Sequence, residues 1–240
     1  MPTLNSNLRE CTARRLGDVA TVRLGFTPVK EKRSDYAGID DRGHAQPFVR
    51  RTVLMVQPSN IGDDDAIDWR RLDRINVQPR QSYESHVLRP GMVLLCLRGV
   101  MRVATLTKET LQHDLEATAD PLPVVASSAW AVINPHAQAL AASYLAWYLK
   151  QPATTSRLQG QRAGSALQFI PIAAVQDMSL PLPRRDAQDA VVRAAHLIDK
   201  VEKLERQRTE LLRASLAGSI QSARQTARAA ESNRRRSSDH

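Results

Sequence analysis

Between Pro183 and Gly218 the chain has neither proline nor glycine. Within that stretch Ala194, Leu197, Val201, Leu204 and Leu211 recur at three- and four-residue steps. Ile198 and Leu212 widen the apolar stripe, and Arg208 interrupts it. Such spacing puts side chains on one face of a helix, and its 3-4 alternation is the seam of a coiled coil. Asp186, with Asp189 three residues on, resembles a capping box and predicts the start of the helix. A helix from Asp186 to about Ser222 would be about 55 Å long at 1.5 Å per residue. The residues ahead of it would fold into a body only about 40 Å across. The helix therefore outruns its domain, and its apolar stripe needs a partner. After Gly218 the chain turns rich in Arg, Ala and Ser, which predicts a disordered end. The expected organisation is a globular domain over 1–183, a long helix over 184–222 and a basic tail over 223–240.

Ahead of the helix the pattern is mostly that of strands. Val19 to Leu24 and Phe48 to Val56 are β-like runs, the second predicted as a central strand. "VLRPGMVLLCLRGVMRVATLT" gives a turn at Pro90-Gly91, a buried strand, a turn at Arg98-Gly99 and a second short strand. "PVVASSAWAVINP" reads as a strand pair or one bent strand, and "GDDDAIDWRRLDRINVQPRQSYE" as irregular. The period then changes. Leu140, Tyr144, Trp147 and Tyr148 stand at i, i+4, i+7 and i+8, one face of a helix ended by Pro152. A second short helix stops at Gly160, and an extended "LPLP" closes the domain. The fold class is α+β: a mixed, β-rich globular domain followed by one long C-terminal coiled-coil helix.

Charge points to the partner. Lys and Arg number 34 against 25 acids in 240 residues, a net charge of +9. The tail from Arg224 holds five Arg against Glu231 and Asp239, so it supplies +3 and leaves +6 to the rest. Such an excess favours an anion, and nucleic acid is the commonest one. Arginine dominates lysine, which suits phosphate forks and base edges. No apolar run approaches the roughly 18 residues that span a bilayer. Cys11 and Cys96 have no CxxC partner, which fits a reducing cytoplasm and neither a disulfide framework nor a zinc site.

Catalytic signatures are missing. "NPHA" at Asn134 and "DPLP" at Asp120 both fail the Asn/Asp-Pro-Pro-aromatic pattern of amino-methyltransferases. No glycine-rich phosphate cradle, P-loop or GxSxG elbow occurs. No acid has lysine two residues on, as common metal nucleases require. Asp63-Asp64-Asp65 lacks the spaced ligands of a calcium loop and reads as a solvated acidic turn. No catalytic residue, metal or cofactor is expected.

Several stretches, in order, resemble one target-recognition half of the specificity (S) subunit of type I restriction–modification systems. "RLGDVATVRLGFTP" is similar to the family's opening strand and Gly-x-Thr-Pro turn. "VQPSNIG", "LRPGMVLLCLRGVMRVA" and "GSALQFIPIAAVQDMSLPLP" resemble its middle strands and closing segment, and "RRDAQDAVV" the start of its helix. Arg184 and Arg185 stand where the family is more acidic, and Met92 where an acid is common. The resemblance covers Leu16 to about Leu216. It implies a non-catalytic half-subunit that pairs with itself or with another half. It also implies double-stranded DNA, a methyltransferase (modification) subunit and a restriction subunit as partners. The rivals are a stand-alone dimeric DNA-binding regulator and a coiled-coil adaptor that ignores DNA.

Candidate DNA contacts follow from residue chemistry. Arg98 and Arg102 flank the Arg-Gly turn, and Arg162, Ser165 and Gln168 surround the "AGSALQF" loop, where glutamine can pair adenine. Asn60 flanks a strand end, and Lys30 and Lys32 form a basic loop suited to phosphates. Leu197, Ile198, Val201, Leu204 and Leu211 are the candidate pairing face of the helix.

Overall fold

The computed structural model describes residues 11–29, 38–39, 45–46, 51–62, 65–77, 81–112, 122–164 and 168–237. The chain divides into two compact units, Met1–Val192 and Arg193–His240. Along it run β1 (Thr12–Arg15), α1 (Leu16–Val19), β2 (Ala20–Leu24), β3 (Gly38–Ile39), β4 (Ala45–Gln46), β5 (Arg51–Val56) and β6 (Asp73–Val77). Then come β7 (Val93–Cys96), β8 (Val103–Thr105), α2 (Lys108–Gln112), β9 (Val124–Ala126) and β10 (Trp130–Pro135). The chain closes with α3 (Ala142–Lys150), α4 (Pro152–Gln159), α5 (Ile172–Gln176), β11 (Ser179–Leu182) and α6 (Arg185–Ser237). This is the mixed α+β architecture with a long C-terminal helix that the periodicities predict.

A four-stranded antiparallel sheet in the order β2-β10-β7-β8 is the centre of the first unit. Both of its faces are buried, and the two-residue period of strands sorts the side chains between them. Val93, Leu95, Ala131 and Ile133 face a core shared with Tyr144, Leu145 and Leu149 of α3. Leu94, Cys96, Trp130 and Val132 face a second core with Val56, Val124 and Ala126. That second core is roofed by the sheet β6-β5-β9, whose other face packs Val53, Met55 and Val125 around Phe26. β7 is apolar at every position because neither of its faces meets water.

The structure departs from the sequence reading at several points. Val124–Ala126 and Trp130–Pro135 are separate strands in different sheets: β9 pairs parallel with β5, and β10 antiparallel with β2 and β7. The supposedly irregular stretch contains β6, paired antiparallel with β5. Asp73, Arg74 and Asn76 are exposed, so only Ile75 and Val77 carry the apolar alternation of this edge strand. Leu140 precedes α3, and Pro152 also opens α4 as a first-turn residue.

The long helix starts before Asp186. The carbonyl of Arg184 accepts from the Gln188 amide at 3.0 Å, which puts Asp186 in the first turn. A carboxylate there still complements the helix dipole. The helix also continues past Gly218 to Ser237, where a disordered tail was expected. Alanine, arginine, glutamine and glutamate are strong helix formers, and no proline or second glycine interrupts them.

The first unit takes in the opening turns of α6. Gln188 is fully buried there. Its carbonyl accepts from the Ala141 amide at 2.8 Å, and its NH₂ donates to Ala139 and Pro183 carbonyls at 2.8 and 2.9 Å. Gln188→Leu would strand three backbone groups and is expected to cost about 3 kcal/mol, measured by urea unfolding of the whole chain. Arg185 adds a guanidinium bond to the Ala137 carbonyl at 2.8 Å. The Tyr144 hydroxyl ties α3 to β11 through the Pro181 carbonyl at 2.9 Å, and burial pushes its pKa up to about 12.

Candidate nucleic-acid interface

The β7–β8 hairpin brings Arg98 and Arg102 to one rim of the sheet. Its loop turns at Gly99, which adopts φ +68°, a conformation glycine takes without steric cost. The Cys96 amide donates to the Arg102 carbonyl at 2.9 Å and closes the hairpin. A second loop lies against it. Ala163 and Phe169 exchange amide–carbonyl bonds at 2.9 and 3.0 Å, with Gly164 at φ +98° beyond Ala163. Phe169 also bridges to Arg98, and the Ile170 amide donates to the Leu97 carbonyl at 2.9 Å. Backbone pairing thus locks two loops far apart in sequence into one ribbon.

Arginine side chains reinforce it. The Arg162 guanidinium donates to the Gly99 carbonyl, and that of Arg102 to the Gly62 carbonyl. Both lie near enough to Cys96 for their charges to act on its thiol. Burial nevertheless dominates and pushes the Cys96 pKa up, so the thiol stays protonated and donates to the Arg98 carbonyl at 2.9 Å. Cys96 is a small core residue under the rim. Arg98 and Gln168 are exposed, as are Val100 and Phe169 at 72% and 39%. The rim therefore offers one open cation, one open amide, two braced cations and two apolar contacts. Base edges and thymine methyls are read by such groups.

The other sequence candidates fare differently. Asn60 is buried, and its amide is spent locally. It accepts from the Gln57 amide at 2.7 Å and donates to the Arg71 carbonyl at 2.8 Å, so it shapes the turn that receives Arg102. Lys30, Lys32 and Ser165 lie outside the described residues. Asp65 pairs with Lys150 at 2.7 Å, and no cluster of metal-ligating side chains occurs among the described residues. Val100 and Phe169 escaped the sequence reading, because nothing in a lone valine or phenylalanine marks it as exposed before the fold is known.

On α6, Leu197, Ile198, Val201, Leu204 and Leu211 are all exposed, between 54% and 72%. Leu212, Leu216 and Ile220 extend the same exposed apolar series. No described helix is long and apolar enough to cross a membrane.

Solved structures share this architecture. One, from work on complex assembly and conformational transition of the type I R-M system, superposes with a TM-score of 0.53 at 18% identity and covers 83% of this chain. The HsdS subunit from Thermoanaerobacter tengcongensis gives a TM-score of 0.53 at 16% identity, again over 83% of this chain. The chain shares the HsdS fold. It spans less than half of those two chains, 41% and 45% of their lengths. No protein-family profile matches the sequence, and no curated protein does. The segments that carried the resemblance in sequence have defined places in this fold. "GFTP" crosses from β2 to the end of β9, "LRPGMVLLCLRG" is β7 with its turns, and "LPLP" is the last three residues of β11 followed by Pro183.

Proposed function

We propose that this chain is a DNA-recognition subunit of a type I-like restriction–modification or related phage-defence system. The observation that carries the proposal is the ribbon at Arg98, Arg102, Arg162 and Gln168 on an HsdS fold. A backbone-paired ribbon holds its side chains in fixed positions, which sequence discrimination requires. Arg98 is the residue best exposed for a bidentate guanine contact, and Gln168 for an adenine contact. Ser165, Lys30 and Lys32 stay in the proposal as loop contacts to DNA, the lysines to phosphates. The reading assigns no chemistry to this chain: methylation and cleavage belong to partner methyltransferase and restriction subunits. The exposed stripe of α6 pairs with a second copy or with another half-subunit, so that two recognition domains read a two-part site.

In vitro selection from random duplex DNA, with and without a methyltransferase subunit, tests this directly. Enrichment of a short defined motif supports the reading, and a two-part motif supports pairing. Arg98→Ala is expected to weaken binding of the selected duplex about 10- to 100-fold and to relax preference at one base pair. Tight selection without any partner subunit would favour a stand-alone regulator. Failure to enrich any sequence in either arm would remove DNA recognition.

A further inference from the structure

A second group of basic side chains lies apart from the recognition ribbon. Arg89 precedes β7, whereas Arg98 follows it. Two segments converge on β9 and the residue after it. Val87 bridges to Val125, and the Leu88 amide donates to the Val124 carbonyl at 2.8 Å. The Phe26 amide donates to the Ala126 carbonyl at 2.6 Å, and Phe26 bridges to Ser127. The rings of Phe26 and His86 meet edge to face with centroids 5.6 Å apart. Arg23, three residues before Phe26, is on β2 opposite Val132. Arg23, His86 and Arg89 are thereby gathered from two segments.

Their electrostatics are unusual for a purely structural cluster. Arg23 Nη1 and His86 Nδ1 are both buried without a hydrogen-bond partner. Desolvation lowers the pKa of Arg23, and the nearby charge of Arg89 lowers it further. Desolvation also lowers that of His86, with Arg23 adding to it. The ion pairs formed by the described residues include neither Arg23 nor Arg89. Two like charges near each other, with a buried guanidinium donor and a buried imidazole nitrogen left unpaired, are costly alone. An oxyanion with several acceptor oxygens removes both costs at once, and a phosphate suits two guanidinium groups better than any neutral ligand does. Arg23 and His86 are only partly enclosed and Arg89 is exposed, so the group is open to solvent on one side.

We propose that Arg23, His86 and Arg89 form a phosphate site that holds a backbone phosphate of duplex DNA, separate from the ribbon that reads bases. This rests on the reading of the chain as a DNA-recognition subunit. Such a contact adds affinity without sequence information.

The test uses the whole chain and fluorescence anisotropy on a mixed-sequence duplex across a range of salt. Arg89→Gln is the main variant because its side chain is exposed and no described core residue depends on it; Arg23→Gln is the second. Each is expected to weaken binding about 3- to 10-fold at about 100 mM salt, equally for all sequences, and to reduce the log–log salt slope by about one. Wild-type affinity and slope in both variants would overturn the site. If Arg98→Ala loses discrimination in that case, the DNA-recognition reading survives and only the phosphate site falls. A parent chain that binds no duplex takes both down. Inorganic phosphate is the remaining arm. If it raises the melting temperature of the parent chain but not of Arg89→Gln, while DNA binding is unchanged in both variants, the ligand is free phosphate and the DNA assignment is wrong.

Discussion

If α6 self-pairs as proposed, changing both Val201 and Leu204 to glutamate is expected to leave the chain monomeric in light scattering at concentrations where the parent chain is expected to dimerise. Both residues are more than half exposed in the single chain, 54% and 55%, within an apolar series from Leu197 to Ile220. Burying a leucine or valine fully contributes about 1.5–3 kcal/mol. A self-paired helix buries each position twice, so the double variant removes four apolar side chains and inserts four carboxylates into the same seam. The expected loss is at least about 1,000-fold in association, since roughly 4 kcal/mol already gives that factor. Lys203→Glu, on the opposite face of the helix, is the control and should leave the dimer intact. A parent chain that is monomeric alone but dimeric with a second half-subunit would point to a mixed pair. A parent chain that stays monomeric with every partner would sink the pairing proposal.

Gly25→Ala is expected to have the largest effect on folding. A Cβ there would stand 2.1 Å from the Ser127 carbonyl oxygen and 2.5 Å from that of Ala126. Both neighbours are backbone, so no side chain can swing aside. Relief would need β2 to move away from the turn between β9 and β10. That motion strains the Gly25 amide bond to the Trp130 carbonyl, 2.9 Å, and the Phe26 amide bond to Ala126. The two sheets meet at this crossing, and fully buried Trp130 and Val125 lie in the cores on either side. A cost of about 3 kcal/mol or more follows from overpacking plus damaged backbone bonds, a large part of a typical domain's stability. Gly99→Ala separates steric from conformational effects. Nothing lies within 4 Å of its added Cβ, so only the positive φ is penalised, by about 1 kcal/mol. Urea unfolding of both variants makes the comparison, and equal midpoints would show that the crossing can yield.

Much of the β framework was legible because burial on both faces leaves a plain mark. β7 is an unbroken apolar run between two glycine turns, and all four of its residues are buried. β6 was illegible for the opposite reason: an edge strand needs only Ile75 and Val77 inward, and two residues make no period. The candidate site was half legible. Arginine beside a glycine turn at Arg98 and a small-residue loop after Arg162 are local signals of backbone approach. Asn60 carried the same polar signal, yet it is buried and bonded to its own turn. A side chain's identity states what it can bond to; only its surroundings state what it does bond to.

The sequence alone determined the long helix and its apolar stripe, because helical period, propensity and the absence of glycine and proline are local properties. It also determined the basic charge and the mostly β character of the domain. Which strands pair, which loops meet at Arg98 and Phe169, and which segments converge on β9 were decided by tertiary structure. Those contacts join residues tens of positions apart, and their energies come from burial and backbone hydrogen bonds that do not exist until the sheets close on each other.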